Sequence, residues 1–336
     1  MNFNPRMIGY LSAVLVGAPF ILFVIFFVGA ERTPVAPLYF TVMTHMEGNF
    51  VDDVNPEVFR FHNQQIEYGM GLFDEYDAKL TIESEKPYAR ANIRWDRNMM
   101  QEIVDAGHGV GTHCDIGAFL DEMPLDEYTA LFVENKMLVD ALVGEDQNRG
   151  CSGGNGANDF VTAAHDAGFD YLAGMVGFAY LAFDLDQRPE GWTDEYIRAV
   201  TYHDVVPIDL VDRMHLFELA DLEDLEPDEE GVIVVNGGGL GEISSMEEGR
   251  SNCFPDCVLT TEDADEIFRL IDEALELRDP ARVAKLNIHI PVKTYQAQNE
   301  EVLRYFLEGM SAYVERGDIA WATQLEVLEA YEELGF

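Results

Sequence analysis

Positive charge is what this sequence is shortest of. Lys and Arg number 21 against 63 Asp and Glu, a formal charge of −42 at pH 7, and only five of the 21 are lysine. So acidic a surface repels phosphate backbones and anionic headgroups, which excludes nucleic acid as a partner. Hydrophobic content is nonetheless 48%, so a disordered acidic chain is excluded too. Acid on the outside of an ordinary core is the composition of a halophilic protein. Concentrated salt screens the self-repulsion while the carboxylates keep the surface hydrated.

Cysteine is also scarce. Four cysteines in 336 residues cannot make a disulfide scaffold. Cys253 and Cys257, in the loop-like SNCFPDC, have the spacing for a bridge outside the cell. No second Cys/His pair lies near them, which argues against a zinc knuckle. Cys114 and Cys151 leave three readings open: packed small apolar residues, a disulfide joining two loops, or soft ligands. No internal repeat is present.

The longest apolar run is at the start. Residues 7–30, MIGYLSAVLVGAPFILFVIFFVGA, suffice to cross a bilayer, with Arg6 before them and Glu31 after. The positive-inside bias puts the N-terminus in the cytoplasm and the remainder outside. The expected organisation is a signal-anchor over 1–30, a linker over 31–37 containing TPVAP, and one domain over 38–336. The expected location is the cell membrane, single-pass with an extracytoplasmic domain, or secreted if signal peptidase cuts near Ala30.

Within the domain, strand and helix patterns alternate. Strands are expected from Tyr39 onward and over 78–83, 109–113, 170–173, 231–239, 285–292 and 318–322. Helices are expected over 96–106, 125–143, 158–167, 261–277, 300–316 and 324–334. That alternation predicts an α/β fold, a parallel sheet closed or nearly closed into a barrel. In such a sheet, polar residues at the C-terminal strand ends share one mouth. The first strand, in YFTVMTHMEGNF (residues 39–50), ends in His45 and Glu47, and later ends offer His113, Asp115, the 149–156 loop, Asn236 and His289. An imidazole and a carboxylate two residues apart suit a metal or a base-and-ligand pair.

Three stretches carry a family resemblance: AGHGVGTHCDIG (106–117), RGCSGGNGANDFVTAAHDAGFDYLAG (149–174), and KLNIHIPV (285–292) with the helix and strand after it. In this order they resemble the polysaccharide deacetylase family, the NodB-homology domain, whose members are metal-dependent and built on a distorted (β/α) barrel. The resemblance implies a hydrolase that removes acyl groups from a cell-surface or extracellular glycan. It implies a divalent metal, zinc by preference, held by Glu47 and His113 with Asp115 or His45 as third ligand. His45 stands at the position of the family's catalytic base. His289 would protonate the leaving group or stabilise the oxyanion, and Arg149 would orient the base. The sequence departs from the family at Gly117, where a second metal-binding histidine is expected. Two other readings therefore stand beside the enzyme: an inactive deacetylase-like domain that binds a glycan or envelope partner, and a glycosidase using Glu47 with Glu242 or Asp115.

Overall fold

A computed structural model describes residues 36–114, 116, 120–153, 158–173, 185, 191–194, 214–220, 228, 230–246 and 257–334. The expected membrane segment, Asp115, Gly117, His203 and Cys253 lie outside them. Among the described residues no helix is long and apolar enough to cross a membrane.

The chain opens on β1 (Leu38–Met46), buried at eight of its nine positions. Next come α1 (Pro56–Asp74), β2 (Thr81–Ser84), α2 (Lys86–Arg94), α3 (Met99–Asp105) and β3 (Gly109–His113). They are followed by α4 (Leu125–Val143), β4 (Gly150–Ser152), α5 (Phe160–Asp166) and β5 (Tyr171–Ala173). Three strands, β6 (Phe217–Leu219), β7 (Ile233–Asn236) and β8 (Gly239–Glu242), precede α6 (Thr261–Leu277) and β9 (Ala284–His289). The last described elements are α7 (Glu300–Arg316), β10 (Ile319–Trp321) and α8 (Gln324–Leu334).

The strands form one curled sheet in the order β6-β7-β5-β4-β3-β2-β1-β9-β8, with β10 also pairing β1. Every strand pair is parallel except β6 with β7. A single antiparallel bridge from His215 to Ala284 carries the lead-in to β6 across to β9. One edge of β1 is shared. Leu38–Phe40 pair with β10, and Met43–Met46 pair with β2.

Helix ends follow their local chemistry. Thr260 and Asp263 form a reciprocal capping box that starts α6, satisfying two amides that the first turn leaves unbonded. Asn55 caps α1, and Pro56 occupies the first helical position, where its missing N–H costs nothing. Gly317 ends α7 in the left-handed region at φ 75°, where a Cβ would be strained. Gly238, between β7 and β8, combines φ 78° with a close approach. A Cβ there would stand 1.9 Å from the Lys285 carbonyl oxygen, so no larger residue fits.

The main core lies between β1, β9 and the helices over them. Fully buried Phe40 packs against Phe306 and Trp321, at 6.1 and 5.4 Å between ring centroids. Burying one such ring contributes about 2–3 kcal/mol. A second cluster holds Tyr128 and Phe132 of α4, Phe160 and Val161 of α5, and Phe169, with Cys114 and Cys151.

The expected sheet of parallel strands with helical cover is present, and six expected segments match closely, β3, α4, α6, α7, β10 and α8. The 231–239 strand is instead two, β7 and β8, broken at the Gly238 turn. Helices α1 and α2 occupy stretches to which the sequence patterns assigned no helix.

A candidate metal centre at the strand ends

Six neighbouring strands each deliver polar residues to one end of the sheet. In sheet order these are Glu242 from β8, His289 from β9, His45 and then Glu47 from β1, Glu83 from β2, His113 from β3 and Ser152 from β4. In a parallel sheet the ends align, so the strand order itself assembles the site.

The histidines stack. The His45 ring lies 3.9 Å from that of His113 and 4.5 Å from that of His289, tilted 18° and 29°. Glu47 reaches both of the first two: its carboxylate is 4.0 Å from His45 Nδ1 and 3.4 Å from His113 Nε2. One ligand atom from each of His45, Glu47 and His113 lies within 4.8 Å of the others. Two imidazoles and a carboxylate are the donor set of a catalytic zinc site with an open position, and tetrahedral ligands at about 2.1 Å stand some 3.4 Å apart. The donors present fit a divalent ion after a small contraction.

Behind this cluster the site is closed. The side chains of His45 and Glu83 are 1% exposed, and His45 Nε2 lies 3.1 Å from Glu83 Oε2. Burial pushes Glu83 up to about 7; a hydrogen bond from Ser152, then the charges of His113 and Lys285, pull the other way. Lys285 is fully buried on β9, its Nζ donating to Gln324 Oε1 at 2.9 Å, and burial holds it well below an ordinary lysine. His113 Nδ1 meets Ser152 Oγ at 3.0 Å, and Asn135 Nδ2 of α4 donates to the His113 carbonyl at 2.7 Å. On the far side, Glu242 Oε2 is 3.9 Å from His289 Nδ1, and the Ser244 hydroxyl donates to Glu242 Oε1.

Of the residues singled out from sequence, His45, Glu47, His113 and His289 come together. Arg149 does not join them. It stands at the first end of the three-residue β4, whereas Ser152 stands at the last, and three strand residues span about 10 Å. Its guanidinium is held by Asp170 at 2.7 Å and by Glu332, so the base-orienting role is withdrawn. Asp115 lies outside the described residues, and His45 is the third member of the cluster. Glu83, Ser152 and Lys285 carried no role in the sequence reading. The available signal for Glu83 was a carboxylate closing the buried run TIE at a strand end, the same signature that marked His45. His108 is a structural group in its turn: its Nδ1 accepts from Leu80 N at 3.2 Å and its Nε2 lies 3.3 Å from Asp74.

Cys114 and Cys151 form a disulfide between the end of β3 and β4, so the packed-thiol and soft-ligand readings fall away. Cys257 is disulfide-bonded as well.

No family model matches the sequence, and no curated protein does. Solved structures do match. A Mycobacterium smegmatis protein described as a polysaccharide deacetylase aligns at TM-score 0.53 and 12% identity, over 90% of this chain and 95% of that one. A Pseudomonas aeruginosa PAO1 protein of the same description aligns at 0.53 and 12%, over 89% and 92%. The allantoinase PuuE aligns at 0.54 and 14%, over 90% and 92%. These identities show the fold. That fold carries both an allantoinase and proteins described as deacetylases, so function rests on the site.

Proposed function

We propose that this chain, built on the polysaccharide deacetylase fold, is a metal-dependent hydrolase removing acyl groups from a cell-surface or extracellular glycan. The observation that carries the proposal is the His45–Glu47–His113 cluster at the sheet mouth, with His289 stacked beside it. A divalent ion there, zinc by preference, would polarise the acyl carbonyl and lower the pKa of water. His45 serves as a ligand in this arrangement, in place of the family histidine that Gly117 lacks. That leaves His289, stacked against His45, as the proton-handling group, able to pass a proton to the leaving nitrogen or oxygen. The Glu242 carboxylate, 3.9 Å from His289 Nδ1, would favour the protonated ring electrostatically. The disulfides support an oxidising compartment, in keeping with a domain outside the membrane, anchored through residues 7–30.

A second reading is favoured by one specific departure, Gly117. A chain that had lost its metal would use the same mouth to bind a glycan or envelope partner. The two are separated by metal content. Purified protein dialysed against zinc should retain one equivalent and deacetylate acetylated chito-oligosaccharides or acetylated xylan. His113→Ala should lose both while its circular dichroism is unchanged. Retention of no divalent ion by the wild type would sink the enzyme reading in favour of the binding one.

A further inference from the structure

We infer that Asp52, through its hydrogen bond to His62, is a positioning residue that sets where Glu47 stands in the candidate metal centre. The inference rests on the metal-site reading above.

The three clustered side chains are not held alike. His45 and His113 are strand residues whose side chains are 1% and 3% exposed, whereas Glu47 lies one residue past the end of β1 and is 33% exposed. Sheet pairing fixes the two histidines, and the loop from Glu47 to Asn55 has to fix the carboxylate. That loop is anchored against ordinary preference. Val51 and Val54 are 46% and 64% exposed while Asp52 is fully buried, the one buried residue between Met46 and Phe59. Turning two valines to water and a carboxylate inward forgoes apolar burial and desolvates a charge. Such an arrangement persists only where the carboxylate is paired.

The partner is on α1. Asp52 Oδ1 accepts from His62 Nδ1 at 2.8 Å. The His62 ring lies 4.7 Å from the Phe50 ring, centroid to centroid. Phe50 N in turn donates to the Glu47 carbonyl at 3.1 Å, closing the turn that begins at Glu47. The route from anchor to ligand is therefore short: carboxylate, imidazole, phenyl ring, turn. Helix α2 holds the same loop by its backbone. Trp95 Nε1 donates to the Asp52 carbonyl and Arg94 Nη1 to the Asp53 carbonyl, each at 2.8 Å. With those backbone bonds in place, loss of the Asp52 carboxylate should loosen the turn without unfolding the domain.

The test is zinc titration of full-length wild type, Asp52→Ala, Asp52→Asn, His62→Phe and Val54→Ser, by competition with a chromophoric chelator. Amide hydrogen exchange across residues 47–55 of the metal-free proteins reports the loop independently of zinc. Asp52→Ala should bind zinc about tenfold more weakly, the equivalent of one hydrogen bond to a charged group, and its Phe50 amide should exchange faster. Asp52→Asn should stay near wild type, because an amide and an imidazole keep a hydrogen bond in either orientation. His62→Phe keeps a ring beside Phe50 but no donor, and should match Asp52→Ala. Val54→Ser, exposed in the same loop, should change neither measurement. A purely structural Asp52 would lower the urea midpoint of Asp52→Ala but leave the folded protein with wild-type zinc affinity and loop exchange, and that result would overturn the inference. So would an Asp52→Asn as weak as Asp52→Ala. If Asp52→Ala does not fold, His62→Phe decides, wild-type affinity and exchange there counting against the inference. A wild type that binds no zinc overturns the metal reading itself, whereas tight wild-type binding indifferent to Asp52 overturns this inference alone.

Discussion

The disulfide between Cys114 and Cys151 lies one residue beyond His113 and one residue before Ser152. The same two segments exchange a backbone hydrogen bond, Cys114 N donating to the Ser152 carbonyl at 2.6 Å. The covalent link therefore clamps the strand pair that presents one histidine and its hydroxyl partner.

Removing the clamp should be costly. The bond closes a loop spanning a sequence separation of 37, for which chain entropy gives roughly 3–4 kcal/mol. The variant Cys114→Ser/Cys151→Ser should unfold at correspondingly lower urea and bind zinc more weakly. Unaltered values on both counts would show that the α4 and α5 packing alone holds these strands.

The protonation of Glu83 predicts a pH dependence for metal-free protein. Its pKa is pushed up to about 7 by burial, against about 4.3 in an unfolded chain. Between those values the folded state binds the extra proton, so stability is full below about 4.3 and is lost as pH rises through about 7. The shift corresponds to roughly 3–4 kcal/mol. Urea unfolding at pH 5 and 8.5 should show that loss in wild type and a flatter dependence in Glu83→Gln. Parallel slopes for the two proteins would contradict the assignment.

Salt should stabilise the domain. Some of its arginines are already shared between carboxylates: Arg304 bonds Glu75 at 2.7 Å and Glu300 at 2.9 Å, and Arg269 bonds both Glu266 and Glu273. The remaining acids repel one another, and only mobile cations screen them. Melting temperature should climb as potassium chloride rises from dilute buffer to molar concentrations. A midpoint indifferent to salt would remove the halophilic proposal.

Anchoring through residues 7–30 predicts that carbonate-washed membranes keep the full-length chain in the pellet. Recovery of soluble protein beginning near Glu31 would replace the anchor with a cleaved signal.

Much of this site was legible because strand C-termini announce themselves. His45, Glu47, His113 and His289 each follow buried β-forming residues, and an apolar run that ends in a ligand-type side chain has few structural reasons to do so. Arg149 was misplaced because β4 is only three residues long. Three positions of sequence then separate opposite ends of the strand, a distance no motif frame shows. Helix α1 stayed hidden because Asn63, Gln65 and Gly69 are among its buried residues, which blurs the apolar period. Glu83 was passed over for a related reason: its place beside His45 comes from register, and register belongs to strand pairing rather than to either strand's sequence.

The divided edge of β1 bears on how the molecule is made. The first strand of the domain finds its upper neighbour, β2, within some forty residues, but its lower neighbour, β10, follows only far later in the chain. The helix that follows β10 then plugs the junction. Gln324 N donates to Thr81 Oγ1, its side chain to Thr41 Oγ1, and its amide oxygen accepts from buried Lys285. Contacts of such sequence separation form late and slow folding. A nascent domain would hold its histidine-bearing strand half-paired until β10 has been made. A chain truncated ahead of β10 should leave that edge of β1 unpaired and the site unassembled.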